Sequence, residues 1–193
     1  MQSHNLHPVF PGMLCDCVEF FRVGKQFKAM TGGRVHSFYE LPTPYYNLLK
    51  ESMEADADAL AVLNIMHPDS EVKRVEKYTS CNFSGLDYTP DIKAGGELQK
   101  GEYWDCPERG HCIGEGKICK PLTYKGNEIT ALDINIIKLS ASDKKNELIA
   151  EELFLPLGTF HLIKKKLHEK LGINSKQEMV LIGIALNIIA VKI

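Results

Sequence analysis

The stretch ITALDINIIKLSASDKKNELIAEELFLPLGTFHLIKKKLHEKLGINSKQEMVLIGIALNII, residues 129–189, carries its apolar residues at helical spacing in four blocks. These are Ile136/Ile137/Leu139, Leu148/Ile149/Leu153, Phe160/Ile163/Leu167/Leu171 and Met179/Val180/Leu181/Ile184. Breaks at residues 141–145, 154–158 and 172–175 separate them. Apolar residues three and four positions apart form one stripe of an amphipathic helix. Four short helices with breaks this tight predict a compact helical bundle.

The third block suggests what such a bundle does. From Thr159 to Leu171 the stripe Phe160, Ile163, Leu167 and Leu171 is expected to be buried, which leaves His161, Leu162, Lys164, Lys165 and His168 facing outward. Between Pro156 and Lys176 there are five lysines (164, 165, 166, 170 and 176) against one acid, Glu169, so a phosphate-rich partner is the natural complement. Charge alone leaves a merely solvated face as the alternative.

The same segment resembles the LuxR/GerE-type helix-turn-helix. The matching residues are Ile129-Thr130 at the start, Asn146 and Ile149-Ala150 in the second helix, and Gly158-Thr159-Phe160 opening the third. Leu167, Lys170-Leu171-Gly172 and Ser175-Lys176 continue the match without a gap over about a third of the chain. The resemblance implies a four-helix DNA-binding domain whose third helix lies in the major groove. It implies His161, Leu162 and Lys165 at base-facing positions, with Thr159, Lys164 and Lys176 facing phosphates. A lysine can donate to guanine and a leucine can pack on a thymine methyl. The chain departs from the family at several places. His161 stands at a usual lysine, Ile163 at a usual histidine, Pro156 at the usual N-cap serine, and Asp143 where glycine is common. All four arginines (22, 34, 74 and 109) lie outside the segment, so the strongest guanine reader is missing from the proposed helix.

The fourth block is apolar all round, which one small bundle does not require. Either it packs against the rest of the chain, or Met179, Ile182 and Leu186 form a twofold dimer contact, as paired DNA half-sites favour. It is too short and too charged to span a membrane.

With 193 residues, 44% hydrophobic and 25% charged, the chain has room for two small domains. The formal net charge is -2, but residues 129–193 hold nine lysines and seven acids, so the acidic balance falls on the front half. The apolar cluster at residues 9–14 is broken by prolines and glycine, which argues against a signal peptide and for a cytoplasmic protein. The expected fold class is mainly α. Residues 1–120 are expected to form a helical, loop-rich, cysteine-containing domain, residues 121–128 a linker, and residues 129–193 the DNA-binding domain. The front domain reads as loop-rich through Pro44, then helical over residues 45–54, 56–66 and 70–78. No series of βα units precedes Asp56 and Asp58, which argues against a phospho-accepting receiver.

Beyond Cys81 the chain is turn-rich, and YWDCPERGHCIGEGKIC places Cys106, Cys112 and Cys119 among glycines. Four thiolates around one ion would give so apolar-poor a region a reason to fold, because structural zinc contributes folding energy directly. Cys81, Cys106, Cys112 and Cys119 are therefore the expected zinc ligands. An iron-sulfur cluster and free thiols are the weaker alternatives. Cys15 and Cys17 read as buried thiols or reserve ligands, and His111 as a flanking residue. The cysteine-rich front ahead of this helix-turn-helix resembles, more loosely, small regulators of bacterial mobile elements and phages. The combined expectation is a non-enzymatic transcription regulator that binds double-stranded DNA as a dimer, with RNA polymerase a further partner. A thiol or metal enzyme and a transcription adaptor that reads no bases are the rivals, and no fixed Cys-His-Asp signature supports the first.

Overall fold

The computed structural model describes residues 9–189. The chain divides into two compact units, Met1–Lys120 and Pro121–Ile193. Among the described residues no helix is long and apolar enough to cross a membrane.

The first unit opens with a sheet, not the loops expected through Pro44. Strands β1 (Glu19–Val23), β2 (Gln26–Thr31) and β3 (Arg34–Ser37) form an antiparallel meander in the order β1-β2-β3. Thr31 pairs with Arg34 across Gly32-Gly33, whose φ angles of 55° and 75° are those of a type I′ hairpin turn. Phe20 and Ala29, cross-strand partners, are both fully buried. Three helices follow: α1 (Thr43–Ala55), α2 (Ala57–Met66) and α3 (Glu71–Asn82). Pro44 suits the first turn of α1, Asp56 caps α2 by accepting from the Ala59 amide at 3.1 Å, and Ser70 caps α3 through the Lys73 amide at 3.3 Å. Leu49, Met53, Leu63 and Val75 from these helices bury against Phe20, Phe27, Phe38 and Phe83. The long segment after α3 is tied to this core at Ile92, which is fully buried and bridges Val18 on one side and Leu98 on the other.

The second unit begins with a two-stranded hairpin, β4 (Thr123–Tyr124) and β5 (Asn127–Glu128), where a bare linker was expected. Lys125 and Gly126 both have positive φ, so this too is a type I′ turn. Four helices follow: α4 (Ala131–Ser140), α5 (Asn146–Glu152), α6 (Leu157–Leu171) and α7 (Lys176–Ala185). Capping boxes start α4 at Thr130/Asp133 and α7 at Ser175/Glu178. Ile136, Ile137, Ile149, Phe160, Leu167, Leu171 and Met179 form the buried interior. The hairpin closes the end of α6: Lys125 Nζ donates to the Leu171 carbonyl at 3.4 Å and Asn127 Nδ2 to the Lys170 carbonyl at 3.1 Å. Those carbonyls otherwise have no partner within the helix.

Candidate functional sites

The first candidate is the outer face of α6. Helix α5 ends in a Schellman motif, with the Leu155 amide bonded to the Ala150 carbonyl at 2.9 Å and the Phe154 amide to the Glu151 carbonyl at 2.9 Å. Phe154 takes the left-handed position at φ 55° and is 94% exposed. The chain then re-enters a helix at Leu157, so α5 and α6 are joined by only four residues.

On α6, Phe160, Leu167 and Leu171 are buried, and Thr159, His161, Leu162, Lys165 and Lys166 are exposed. Lys165 Nζ approaches Glu169 at 4.0 Å, an exposed pair that contributes little and leaves the lysine available. Lys164 and Lys176 are less free than expected. Lys164 Nζ donates to Asn146 Oδ1 at 2.8 Å, and Lys176 Nζ donates to the Ser142 carbonyl at 2.8 Å. Burial, followed by the nearby Lys176 charge, holds the Lys164 ammonium below its ordinary pKa. Two neighbouring ammoniums with neutral acceptors would gain from a shared anion.

Three residues depart from the sequence expectation. His168 is half-buried; burial and Lys164 lower its pKa, and its Nε2 has no partner. Lys170 does not join the basic face, because it pairs at 2.5 Å with the buried Asp133 of α4. Met179 is fully buried in the interior of its unit and is unavailable for a dimer contact. Ile182 and Leu186 are half-buried, whereas Leu181 (66%) and Ile184 (37%) are the exposed apolar residues of α7. Helix α7 packs on α4, and this contact, invisible to a count of apolar residues, selects which side is covered.

The second candidate is a partly open pocket in the first unit, lined by Cys81, Cys106, Cys112 and Cys119 together with Lys77, Trp104, Arg109 and two acids, Glu108 and Glu115, the second of which lies 3.8 Å from Arg109 Nη1. Cys81 stands on the last turn of α3. The other three come from the turn-rich segment, which is held to α3 by a bond from Trp104 Nε1 to the Cys81 carbonyl at 3.3 Å. The fully buried Ile118 anchors the segment's far end. The Gly114 amide points at Cys112 Sγ at 3.3 Å, and a Cβ at Gly114 would lie 2.7 Å from Ile118 Cδ1, so a larger residue there would have to displace the tip of that side chain. All four cysteines are free thiols. Burial, reinforced by the other three cysteines and opposed by Lys77, pushes the Cys81 thiol up to about 11. Among the described residues no group of three or more His, Cys, Asp or Glu side chains is arranged to hold a metal ion, so the thiols ring the pocket without converging on one point. Cys15, Cys17 and His111 do not line it. Cys15 is exposed, accepts from the Gly12 amide at 3.3 Å, and a side-chain hydrogen bond with Cys17 holds its thiol below the ordinary pKa.

A third cluster escaped sequence reading because its members are far apart in the chain. Glu19, Asp87, Asp91 and Glu102 influence one another electrostatically. Glu19 accepts from the Asp87 amide at 2.9 Å, Asp91 from the Phe20 amide at 2.7 Å, and Glu102 from the Gly85 amide at 2.7 Å. Burial, with the neighbouring carboxylates adding to it, raises Glu19 to about 9, Asp91 to about 10 and Glu102 to about 8.

No protein-family model, no curated protein and no solved structure matches this chain.

Proposed function

We propose that the protein is a sequence-specific DNA-binding transcription regulator that reads the major groove with α6. The observation that carries this is the outer face of α6, where Thr159, His161, Leu162 and Lys165 are exposed together behind a four-residue turn from α5. His161, the Lys165 cation and the apolar Leu162 supply the donors and the methyl-packing group that base edges require, with Thr159 at the phosphates. Lys164 and Lys176 hold neutral acceptors and stand ready to exchange them for phosphate oxygens. The likeness of this segment to LuxR-type domains supports the same reading. Dimerisation through the exposed side of α7, at Leu181 and Ile184, would present two recognition helices to paired half-sites. RNA polymerase is the further partner that a regulator of this kind would meet on DNA.

Selection of bound fragments from random duplex DNA tests the proposal. Full-length protein should enrich a defined sequence, and binding to it should weaken as salt is raised, because released counterions drive phosphate contacts. Recovery of unenriched DNA at every salt concentration would refute it.

A further inference from the structure

The pocket ringed by cysteines plays no part in reading bases, and its chemistry points elsewhere. We infer that Cys81, Cys106, Cys112 and Cys119 bind one zinc ion as four thiolates, with the Lys77 ammonium offsetting part of the charge of the resulting centre. This stands apart from the DNA-binding proposal.

Three features of the pocket support it. The donor set is uniform: all four cysteines that line the pocket are unpaired thiols, and soft sulfur ligands in fours select zinc over hard cations. Backbone geometry already serves a sulfur anion, with the Gly114 amide aimed at Cys112 Sγ at 3.3 Å. Two donors stand at the sulfurs, although Glu108 and Glu115 also line the pocket and Arg109 Nη1 lies 3.8 Å from Glu115. Zinc with four thiolates carries two net negative charges, and Lys77 and Arg109 both face the pocket. Arg109 Nε is a buried donor without an acceptor, which a thiolate sulfur would supply. The rest of Arg109 is fixed: its guanidinium lies 4.6 Å from the Tyr103 ring centre and donates to the Trp104 carbonyl at 3.2 Å.

Binding consists of four S–H bonds giving up protons to solvent and four Zn–S bonds forming, with no change of oxidation state. No three of these side chains are grouped to hold an ion among the described residues, so binding one requires the turn-rich segment to draw in onto Cys81. Metal affinity then serves as folding energy for a segment that contributes only a few buried side chains, Ile118 among them.

The test uses full-length protein prepared under reducing conditions. Elemental analysis should find about one equivalent of zinc. After zinc is removed, titration with Co2+ alone should produce the strong visible bands of a tetrahedral tetrathiolate, and a thiol reagent added to the zinc form should modify Cys15 and Cys17 while sparing the other four. A variant carrying both Cys15→Ser and Cys17→Ser should keep the metal, and each of Cys81→Ser, Cys106→Ser, Cys112→Ser and Cys119→Ser should lose it or change the Co2+ spectrum. Lys77→Gln should weaken Co2+ binding several-fold with the spectrum unchanged. A brown, iron-containing preparation, a metal-free protein that gives no Co2+ bands, or protection of fewer than four thiols by zinc would each overturn the inference.

Discussion

The Leu155 amide and the Ala150 carbonyl, 2.9 Å apart, close the last turn of α5 around Phe154. That enclosed position demands a left-handed backbone, which glycine holds in α6 (Gly172) and asparagine holds after α7 (Asn187). An aromatic residue there costs roughly 1–2 kcal/mol in backbone strain. Its ring, 94% exposed, makes almost no compensating contact within its unit. Phe154→Gly should therefore stabilise the protein by about 0.5–1 kcal/mol once the greater freedom of unfolded glycine is subtracted. Phe154→Val should destabilise it, because a branched Cβ fits this region worst. Urea denaturation of the full-length chain measures both, and a less stable glycine variant would mean that the ring packs on something in the native state.

Asp133 has two duties in the second unit. It accepts from the Thr130 amide at 2.9 Å in the capping box of α4 and from Lys170 Nζ at 2.5 Å across to α6. Asp133→Ala should cost about 3–5 kcal/mol, since it removes a cap and strands a mostly buried ammonium. Lys170→Met keeps the aliphatic stem, yet leaves the buried carboxylate unpaired, and should cost less because the capping bonds still satisfy it. Equal losses in thermal unfolding would contradict this division of labour.

For DNA binding, Lys165→Ala should weaken a selected site by about 1–3 kcal/mol and broaden the preferred sequence. Lys176→Ala should weaken all duplexes alike and reduce the salt slope by about one. Titrations at several salt concentrations distinguish the two. Wild-type affinity in both variants would remove α6 from the role of reader.

Leu181→Asp places a charge on the exposed side of α7, where Ile184 is its apolar neighbour. If that side joins two copies, the variant should sediment as a monomer and lose operator affinity while keeping its fold. A wild-type protein that is monomeric at high concentration, free and on DNA, would exclude the dimer.

The buried carboxyls predict a pH response. Glu19, Asp91 and Glu102 hold their protons more tightly folded than unfolded, so the stability they lend is complete below the ordinary carboxylate range. It is lost as pH rises through about 8, 9 and 10. The first unit should thus unfold more easily in mild alkali. Asp91→Asn preserves an acceptor for the Phe20 amide and removes the group with the highest value, so it should flatten the pH dependence. An unchanged alkaline limb would disprove the assignment.

The helices of both units are legible in the sequence where apolar spacing coincides with a cap, as at Asp56, Ser70, Thr130 and Ser175. Helix α3 runs on to Asn82, beyond the expected residue 78, and so carries Cys81 on regular structure instead of in a loop. The sheet was missed although Gly24 and Gly32-Gly33 punctuate it, because Glu19 is buried beside Phe20 and breaks the alternation of polar and apolar residues. Cysteine spacing suggested four residues that the fold does bring to one pocket. The basic companions Lys77 and Arg109 depend on how α3 meets a loop some thirty residues later, and no local pattern records that.

The bridge from Val18 to Ile92 bears on the order of assembly. The meander of β1 to β3 joins neighbours in the chain and can form on the timescale of hairpins, whereas the paired bonds between Val18 and Ile92, at 2.8 and 3.1 Å, close a loop that includes every helix of the first unit. Such a closure comes late and opens early, because its entropic penalty precedes its reward. The amides of Val18 and Ile92 should accordingly report, in hydrogen exchange, a partial opening that frees the segment from Ser84 to Lys120 while the hairpins stay intact. Under limited proteolysis the same segment should be the first to be cut, leaving a sheet-and-helix remnant in which the Phe20 amide, parted from Asp91, exchanges freely.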